Sequence, residues 1–340
     1  MKPTRILAAV LALIVCLSTT GGASAGVYDG QRVRIVIGST STAGDSYMVA
    51  ETTNRYLAKY LNVSSRVDPV GANEAFATVA DAKPDGLTFM IFHDMTYLGV
   101  LFESFDKEYA LENMVIGPRV GQNPGSCFAA RATLPYNDMV AIADHLRDNP
   151  DANCRIAVEA GGVSHIGFVA FWTWAKERYG DDVADRVKIV VGGSTDKKLQ
   201  MLWDNNADVI FADYSSLLQY IDEDVDDQLR VKWVGILDGI EGLDLPTYSG
   251  MGITLGGKPF VFSKDFLVYL PKGTPQAAVD ELDAAMAKVA ADPGFIADMQ
   301  ALTYAPNVLK SAEAKEFIYA KREQMRGLIE GSPSFDDLTE

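Results

Sequence analysis

Three segments of small and hydroxyl-bearing residues each follow a strand-like run and open a helix-like run, and their composition suits the binding of an anion. They are residues 37–47, 159–165 and 191–196. A helix start presents free N–H groups and a partial positive charge, and small residues let a carboxylate approach the backbone. The candidate ligand residues in these loops are Ser39, Ser41, Thr42, Gly44, Asp45, Ser46, Tyr47, Gly161, Gly162, Val163, Ser164, His165 and Thr195.

Ordinary helix capping is the alternative for all three loops, because Ser, Thr, Asp and Gly favour helix starts without any ligand. That alternative weighs most for the third loop. None of the loops contains the Gly-Lys-Ser/Thr of a phosphate loop or the Gly-x-Gly-x-x-Gly of a dinucleotide site. Tyr47 either covers a ligand or packs within its helix.

Three further residues follow strands or lie near a change of lobe, and each is a candidate ligand residue with a structural alternative. His93 follows the run 88–92 and either faces the cleft or is a satisfied loop histidine. Asp213 follows the run 207–212 and either binds an amine or hydroxyl or caps a turn. Arg119 either pairs with a carboxylate through its two-pronged guanidinium or lies on the surface.

The sequence offers little for catalysis. Only three histidines occur, His93, His145 and His165. His145 falls on a helix pattern and is expected to be solvated, and the adjacent Ser164 and His165 diverge in a helix. A dyad of His93 with Asp213 is the only pairing available between the two halves. No metal-ligand spacing is present, so we expect no enzyme activity, no metal and no cofactor.

Short β-branched runs alternate with amphipathic helix patterns along the chain, which predicts an α/β fold with parallel sheets and crossover helices. The predicted strands are residues 33–37, 65–68, 88–92, 127–131, 154–158, 187–191, 207–212, 231–237 and 266–270. The predicted helices are residues 47–61, 73–82, 137–147, 164–178, 197–204, 276–290 and 312–329.

The first 25 residues have the pattern of a secretory signal peptide. Lys2 and Arg5 precede an apolar run over residues 6–17, and Ala23-Ser24-Ala25 supplies a small-x-small end. We therefore expect cleavage after Ala25 and a periplasmic protein. The remaining chain is longer than one core usually serves, which predicts two lobes.

The boundaries expected from the strand pattern are residues 26–120 with 230–331 for lobe 1 and residues 121–229 for lobe 2. The acidic segment 332–340 is expected to be disordered. The formal net charge of −16 becomes more negative when the basic signal leaves, so nucleic acid is excluded as a partner. Cys127 and Cys154 each begin a predicted strand, and if these strands are parallel neighbours their starts lie side by side, which predicts a disulfide bridge in an oxidising compartment. Two buried free thiols are the alternative.

Taken together, several short segments resemble the extracytoplasmic binding proteins of tripartite tricarboxylate transporters, also called Bug-type proteins. The similarity covers nearly the whole mature chain. It rests on residues 33–37 with the loop after them, 70–73, 82–88, 161–165, 207–213 and 270–275.

The resemblance implies a two-lobed periplasmic-binding-protein fold of type II character, with two chain crossings and a ligand cleft between the lobes. It implies that backbone N–H groups of the first two loops and ordered water hold a ligand carboxylate. We expect a monomer that closes like a Venus flytrap and docks on a small and a large membrane subunit.

The first loop departs from the family pattern, which leaves the ligand open. Many members carry Pro-Gly-Gly followed by Asp, whereas this chain has Gly44-Asp45-Ser46-Tyr47. The alternative functions are a binding protein for another transporter or a sensor and, from a different class, a periplasmic hydrolase or isomerase.

Overall fold

Two five-stranded sheets with helices packed on them form the two halves of the molecule. The computed structural model describes residues 26–330 and 332–339, so the predicted signal peptide lies outside the described residues. Within those two ranges, no helix combines the length and the apolar composition needed to cross a bilayer.

The elements are numbered along the chain. The strands are β1 (Arg32–Ile37), β2 (Ser64–Pro69), β3 (Thr88–Phe92), β4 (Met114–Asn123), β5 (Ser126–Arg131), β6 (Cys154–Val158), β7 (Val187–Val191), β8 (Val209–Asp213), β9 (Val231–Ile236), β10 (Thr254–Leu255), β11 (Lys258–Pro259) and β12 (Lys264–Pro271). The α-helices are α1 (Asp45–Leu61), α2 (Ala72–Asp81), α3 (Met95–Leu101), α4 (Met139–Asp148), α5 (Val163–Tyr179), α6 (Asp181–Ala184), α7 (Thr195–Trp203), α8 (Tyr214–Leu217), α9 (Gln276–Ala290), α10 (Pro293–Ala301), α11 (Ser311–Ile329) and α12 (Phe335–Leu338). Short 3-10 turns cover Lys107–Tyr109, Leu111–Asn113 and Leu218–Tyr220.

The two sheets have the same plan, and the expected two-lobed α/β fold is confirmed. The sheet of lobe 1 has the order β2-β1-β3-β12-β4, and that of lobe 2 has the order β7-β6-β8-β5-β9. The first three strands of each sheet are parallel. In each sheet the fourth strand, β12 or β5, runs antiparallel to both of its neighbours.

The apolar residues of the helices lie on the side that faces the core. In α9, Val279, Leu282 and Met286 are buried, and they recur at the spacing of one helix face. All eight residues of β12 are buried, as expected for a central strand with both faces covered.

The chain crosses between the lobes twice, and the second crossing differs from the expected boundary. It leaves lobe 1 between β4 and β5 and returns just before β12. The strand β9, expected to begin the return at residue 230, instead pairs with β5 in lobe 2. Tyr248 farther along stacks on Phe128 of β5, so the segment after β9 also packs on lobe 2. The β-branched composition of β9 predicts a strand, but it does not specify the strand with which β9 pairs.

The acidic C-terminal segment is folded over residues 332–339, which corrects the expectation of disorder. Ser334 and Asp337 form a capping box at the start of α12. Leu338 is buried, and the Phe335 ring meets the His165 ring edge-on with centroids 4.8 Å apart. The two apolar residues lie three apart on one helix face, and their burial outweighs the acidic composition around them.

Both cysteines of the described chain are free and buried, so the disulfide is not formed. Cys127 on β5 and Cys154 on β6 are separated by β8. Strands two apart in a sheet lie about 10 Å from each other, whereas a disulfide needs Cα atoms within about 7 Å. In addition, β5 runs antiparallel to β8 and places Cys127 opposite Ala212, at the far end from Cys154. The bridge was predicted on the assumption of parallel neighbours.

Candidate functional site

A cleft of about 200 Å³ lies between the lobes, at the carboxyl ends of the parallel strands. Strand ends of this kind are the usual ligand positions in open α/β sheets. Ten of the sequence-predicted ligand residues line it: Ser39, Ser41, Gly44, Asp45, Ser46, His93, Val163, Ser164, Thr195 and Asp213. Thr40 and Glu159 of the predicted loops also line it, although they are not among the candidate ligand residues. Gly71, Lys198 and Lys264 line it as well and lie outside the predicted loops.

Among the described residues, four helices of at least nine residues begin at this cleft, two from each lobe, and the four-residue α8 follows Asp213 of its lining. Three of them have glycine N-caps: Gly44 at α1, Gly71 at α2 and Gly162 at α5. Glycine has no side chain to accept from the first N–H groups, so these donors are not used by the N-cap residue. In α1 one of them, Ser46 N, donates to Asp45 Oδ1 at 2.7 Å, and the others remain available to another acceptor. In α7, by contrast, the Ser194 hydroxyl accepts from Lys197 N at 3.3 Å. The arrangement therefore directs three uncapped, positively polarised helix starts at one space.

The hydroxyls of the first loop partly shape the loop itself. Ser39 Oγ accepts from Ser41 N, and Ser41 Oγ accepts from Ala43 N, both at 3.1 Å. The Ser41 hydroxyl also donates to Asp196 Oδ2 of lobe 2 at 3.3 Å. Ser41 is thus a direct hydrogen-bond contact between the lobes at the rim of the cleft.

Some residues of the second loop line the cleft, and another contacts lobe 1. Ser164 Oγ accepts from Glu159 N at 2.8 Å and donates to the Glu159 carbonyl at 3.2 Å. Gly161 has φ +70, and a Cβ there would lie 2.9 Å from Gly99 Cα and 2.8 Å from Ser104 Cβ. Only glycine allows that approach without strain, so Gly161 serves contact between the lobes.

Six predicted ligand residues are absent from the cleft lining in the described part of the chain: Thr42, Tyr47, Arg119, Gly161, Gly162 and His165. Thr42 is exposed, and Tyr47 packs against the core of lobe 1. Gly162 contributes as the N-cap of α5.

Arg119 is committed to the interior of lobe 1, which corrects its assignment to the ligand. Its Nη1 donates to Asp265 Oδ1 at 2.8 Å, and its Nε donates to the carbonyl of Asn307 at 2.9 Å. Its guanidinium also lies over the Phe317 ring. Asp265 additionally pairs with Lys321 at 2.6 Å, so Arg119 belongs to a buried ion-pair network.

His165 is likewise displaced from the cleft by apolar packing. Its ring stacks on Phe102 with centroids 3.8 Å apart, and its Nδ1 accepts from Gly161 N at 3.4 Å. Burial lowers the pKa of His165 to about 4. The ring is therefore neutral at neutral pH and acts as a packing residue.

A buried cluster of Lys264, Asp45, Asp213 and Asn123 lies where the chain crosses between the lobes. Lys264 Nζ donates to Asp45 Oδ2 and to Asp213 Oδ1, both at 2.7 Å. Asn123 Nδ2 donates to the same two oxygens, at 3.2 Å and 2.8 Å respectively. Asp45 lies in lobe 1 and Asp213 at the end of the β8 strand of lobe 2. The cluster therefore ties the two lobes together at the crossing strands.

The two carboxylates respond differently to this environment. Burial favours a higher pKa for Asp45, but the Lys264 ammonium and the Asn123 amide lower the pKa of Asp45 below its usual range. Burial and the Asp45 charge raise the pKa of Asp213 to about 6 despite Lys264. Burial opposes the charge on Lys264, yet both carboxylates raise the pKa of its ammonium.

His93 lines the cleft but forms no dyad with Asp213. Its Nδ1 accepts from Met95 N at 3.3 Å, while Asp213 Oδ1 accepts from Lys264 and Asn123. Burial and the Lys264 charge lower the pKa of His93 to about 3. Across the described ranges, no hydrogen bond joins His93 to a carboxylate, so the one available pairing of His93 with Asp213 is not assembled.

The sequence alone does not identify Lys198, Lys264 and Asn123 as residues of this site, because lysine and asparagine usually lie on the surface. Lys264 and Asp45 are separated by 219 residues, so no local pattern reports their contact. A signal for Gly71 does exist, since it lies two residues before the predicted helix 73–82.

The fold was compared with known proteins. No family model and no curated sequence matches the chain. The solved structure of the periplasmic binding protein BugD is 20% identical, covers 89% of this chain and 98% of its own, and gives a TM-score of 0.69. MatC from Rhodopseudomonas palustris, solved with bound malate, is 20% identical, covers 88% of this chain and 99% of its own, and gives a TM-score of 0.70.

An R. palustris protein solved with adipate is 15% identical, covers 88% of this chain and 96% of its own, and gives a TM-score of 0.70. These matches extend over both lobes and nearly the full length of each structure. At such low identity the similarity establishes the architecture alone. The chain thus has the two-lobed fold of the periplasmic binding protein BugD and of MatC.

Proposed function

We propose that this protein is an extracytoplasmic solute-binding protein of the Bug type. It captures a small carboxylate between its lobes and delivers it to a tripartite tricarboxylate-type transporter in the membrane. The observation that carries the proposal is the convergence of the uncapped starts of α1, α2 and α5 on one cleft between the lobes.

The ligand is an acid because the available donors suit an anion. Backbone N–H groups at helix starts bind a carboxylate by charge-assisted hydrogen bonds. They operate at short range, which matters because the overall charge of −16 repels an anion at a distance. The cleft of about 200 Å³ is of a size for a small organic acid.

Binding follows a hinge mechanism. The ligand first contacts one lobe, and the lobes then rotate about the two crossing strands until both sets of helix starts reach it. The Lys264 cluster lies at these crossings, and the Ser41–Asp196 hydrogen bond closes the rim.

Binding without chemistry is favoured over hydrolysis or isomerisation. His93 has no carboxylate partner within the described ranges, and Ser164 Oγ exchanges hydrogen bonds with the backbone of Glu159. Neither residue has an adjacent group that activates a nucleophile or relays a proton. Among the similar structures, BugD is a periplasmic binding protein, MatC holds malate and the R. palustris protein holds adipate.

The test is a thermal-shift screen of the mature protein with mono-, di- and tricarboxylates and their neutral amides, followed by titration calorimetry. A ligand present at 100 times its Kd stabilises the folded protein by about 2.7 kcal/mol. We expect at least one acid to raise the melting temperature and to be recovered unchanged by NMR. Recovery of a chemically altered product, or no response to any acid, would contradict the proposal.

Delivery to a transporter needs a separate experiment. The ligand-loaded protein is to be immobilised and presented with detergent-solubilised small and large membrane subunits of a tripartite tricarboxylate transporter from the same genome. We expect retention that depends on the ligand. Retention of a sensor protein or of another transporter class instead would favour the alternative functions.

A further inference from the structure

Lys198 on α7 is a buried lysine in the wall of the cleft. Its side chain is 5% exposed, and the residue lines the space between the lobes. Among the residues that the structure describes, none forms a hydrogen bond with its ammonium or supplies a carboxylate within 4.0 Å of it. The ammonium is not one of the fully enclosed polar atoms, so it is open to the space of the cleft. A largely buried charge without a direct partner is costly, so a partner from outside the chain would stabilise it.

Lys264 provides an internal comparison. It is 4% exposed, and its Nζ lies 5.4 Å from the centroid of the Phe211 ring, the same distance as Lys198 Nζ. Lys264 is compensated by Asp45 and Asp213 at 2.7 Å. The two lysines thus share burial and an aromatic neighbour, and they differ in that Lys198 has no carboxylate at bonding distance.

The surroundings of Lys198 fix its stem beside the cleft. A Cβ on Gly192 would lie 2.5 Å from Lys198 Cγ, so this glycine leaves the space that the aliphatic stem fills. Phe211, which also lines the cleft, flanks the ammonium. Burial lowers the pKa of Lys198, while the charge of Glu159 acts in the opposite direction.

We propose that the Lys198 ammonium forms a direct ion pair with a carboxylate of the bound ligand, so that lobe 2 selects acids through a side chain in addition to its backbone. This inference rests on the proposed function. A structural rival exists in Glu159, a cleft residue whose charge attracts Lys198 from beyond ion-pair distance. The two roles predict different responses to substitution.

The experiment is a cycle in which Lys198→Met is combined with replacement of each ligand carboxylate by a carboxamide. The probes are succinate, malate and adipate with their amides, and affinity is measured by calorimetry for the acid that wild type binds most tightly. Loss of one charge-assisted hydrogen bond corresponds to about 10- to 100-fold in affinity. Lys188→Met, on β7 and outside the cleft lining, controls for the loss of one positive charge.

We expect Lys198→Met to reduce the affinity for the acid by at least about tenfold. We also expect it to abolish the preference of the protein for that carboxylate over its amide. Lys188→Met is expected to bind as wild type does. The ligand-free melting temperature of Lys198→Met is expected to equal or exceed that of wild type, because the variant removes an uncompensated buried charge. Glu159→Gln is expected to retain or increase acid affinity.

The outcomes separate the two proposals. If wild type binds none of the acids tested, the proposed function fails. If wild type binds an acid and Lys198→Met binds it equally well, the ion pair is ruled out while the function stands. If Lys198→Met and Lys198→Gln both melt well below wild type, and Glu159→Gln does the same, Lys198 is a structural partner of Glu159 and the inference is overturned.

Discussion

The ammonium of Lys264 lies 2.7 Å from Oδ1 of Asp213, across the boundary between the two lobes. Lys264 also pairs with Asp45 at 2.7 Å, so one cation is shared by two buried carboxylates that belong to different lobes. Removing a partner from a buried ion pair leaves an uncompensated charge, which costs about 3–5 kcal/mol.

Substitution Lys264→Met is therefore expected to lower the free energy of unfolding by about 3–5 kcal/mol, measured by urea denaturation. The double variant Lys264→Met with Asp213→Asn is expected to recover part of that loss, since only Asp45 then remains charged. Lys258→Met on β11, where the side chain is exposed, is the matched control and should change stability by less than about 0.5 kcal/mol. Equal effects of the buried and exposed substitutions would refute the role of the cluster.

Gly44 offers a test of the uncapped helix start. Its backbone is extended, with φ −88 and ψ 164, and an added Cβ would meet no atom within 4 Å. Gly44→Asp is expected to cap α1, to compete for its N–H groups and to repel an acid, reducing ligand affinity by at least about tenfold. The ligand-free melting temperature should not fall, because Asp is a favourable N-cap.

Gly44→Ala separates size from charge at the same position. It is expected to cost less affinity than Gly44→Asp, since it adds a methyl group and no acceptor. An aspartate variant that binds the acid as wild type does would show that the α1 start does not contact the ligand.

The two cysteines are expected to behave as buried thiols under oxidising conditions. Burial raises the pKa of both Cys127 and Cys154, which disfavours the reactive thiolate. The purified protein should show the mass of two free thiols, react with a thiol reagent only after denaturation, and melt at the same temperature with and without reductant. A mass lower by two hydrogens, together with destabilisation by reductant, would establish a bridge instead.

His165 is expected to make the folded protein sensitive to acid. Burial lowers its pKa from the usual 6.5 to about 4, so between these values the unfolded chain binds a proton that the folded protein does not. Stability attributable to this residue is complete above pH 6.5 and decreases as the pH falls toward 4, by at most about 1.4 kcal/mol per pH unit.

The check is the melting temperature of His165→Phe relative to wild type at pH 7.5 and at pH 4.5. The difference should become more positive at the lower pH. His145→Gln, at a half-buried position on α4, controls for the loss of a histidine. A difference independent of pH would contradict the assigned burial effect.

Local patterns predict the elements of this protein well where periodicity is strong. The runs 154–158 and 276–290 are observed with the predicted bounds as β6 and α9. Both are bounded by clear signals, with Pro275 before the helix as its N-cap. The small-residue loops likewise mark the cleft, because glycine and hydroxyl residues at helix starts have a local physical reason.

Pairings between distant segments are where prediction from the sequence is wrong or silent. The direction of β5 and the sheet of β9 depend on which lobe each strand joins, and β-branched residues favour a strand in either. The buried partners of Arg119 and Lys264 come from remote parts of the chain. From the sequence alone, Arg119 and Lys264 would each be predicted to lie on the surface, because their carboxylate partners are remote in the sequence.

The strand β12 carries Lys264 and Asp265 in succession, and successive side chains of a strand point to opposite faces. Lys264 serves the hinge carboxylates, while Asp265 serves Arg119 and Lys321 inside lobe 1. Deleting a single residue just ahead of this pair would exchange the faces. Asp265 would then take the position beside Asp45 and Asp213, and Phe266 would take the position beside Arg119 and Lys321. The register of this strand is therefore fixed by charge as well as by its apolar residues. Homologues should accordingly vary in length before or after β12 rather than within it.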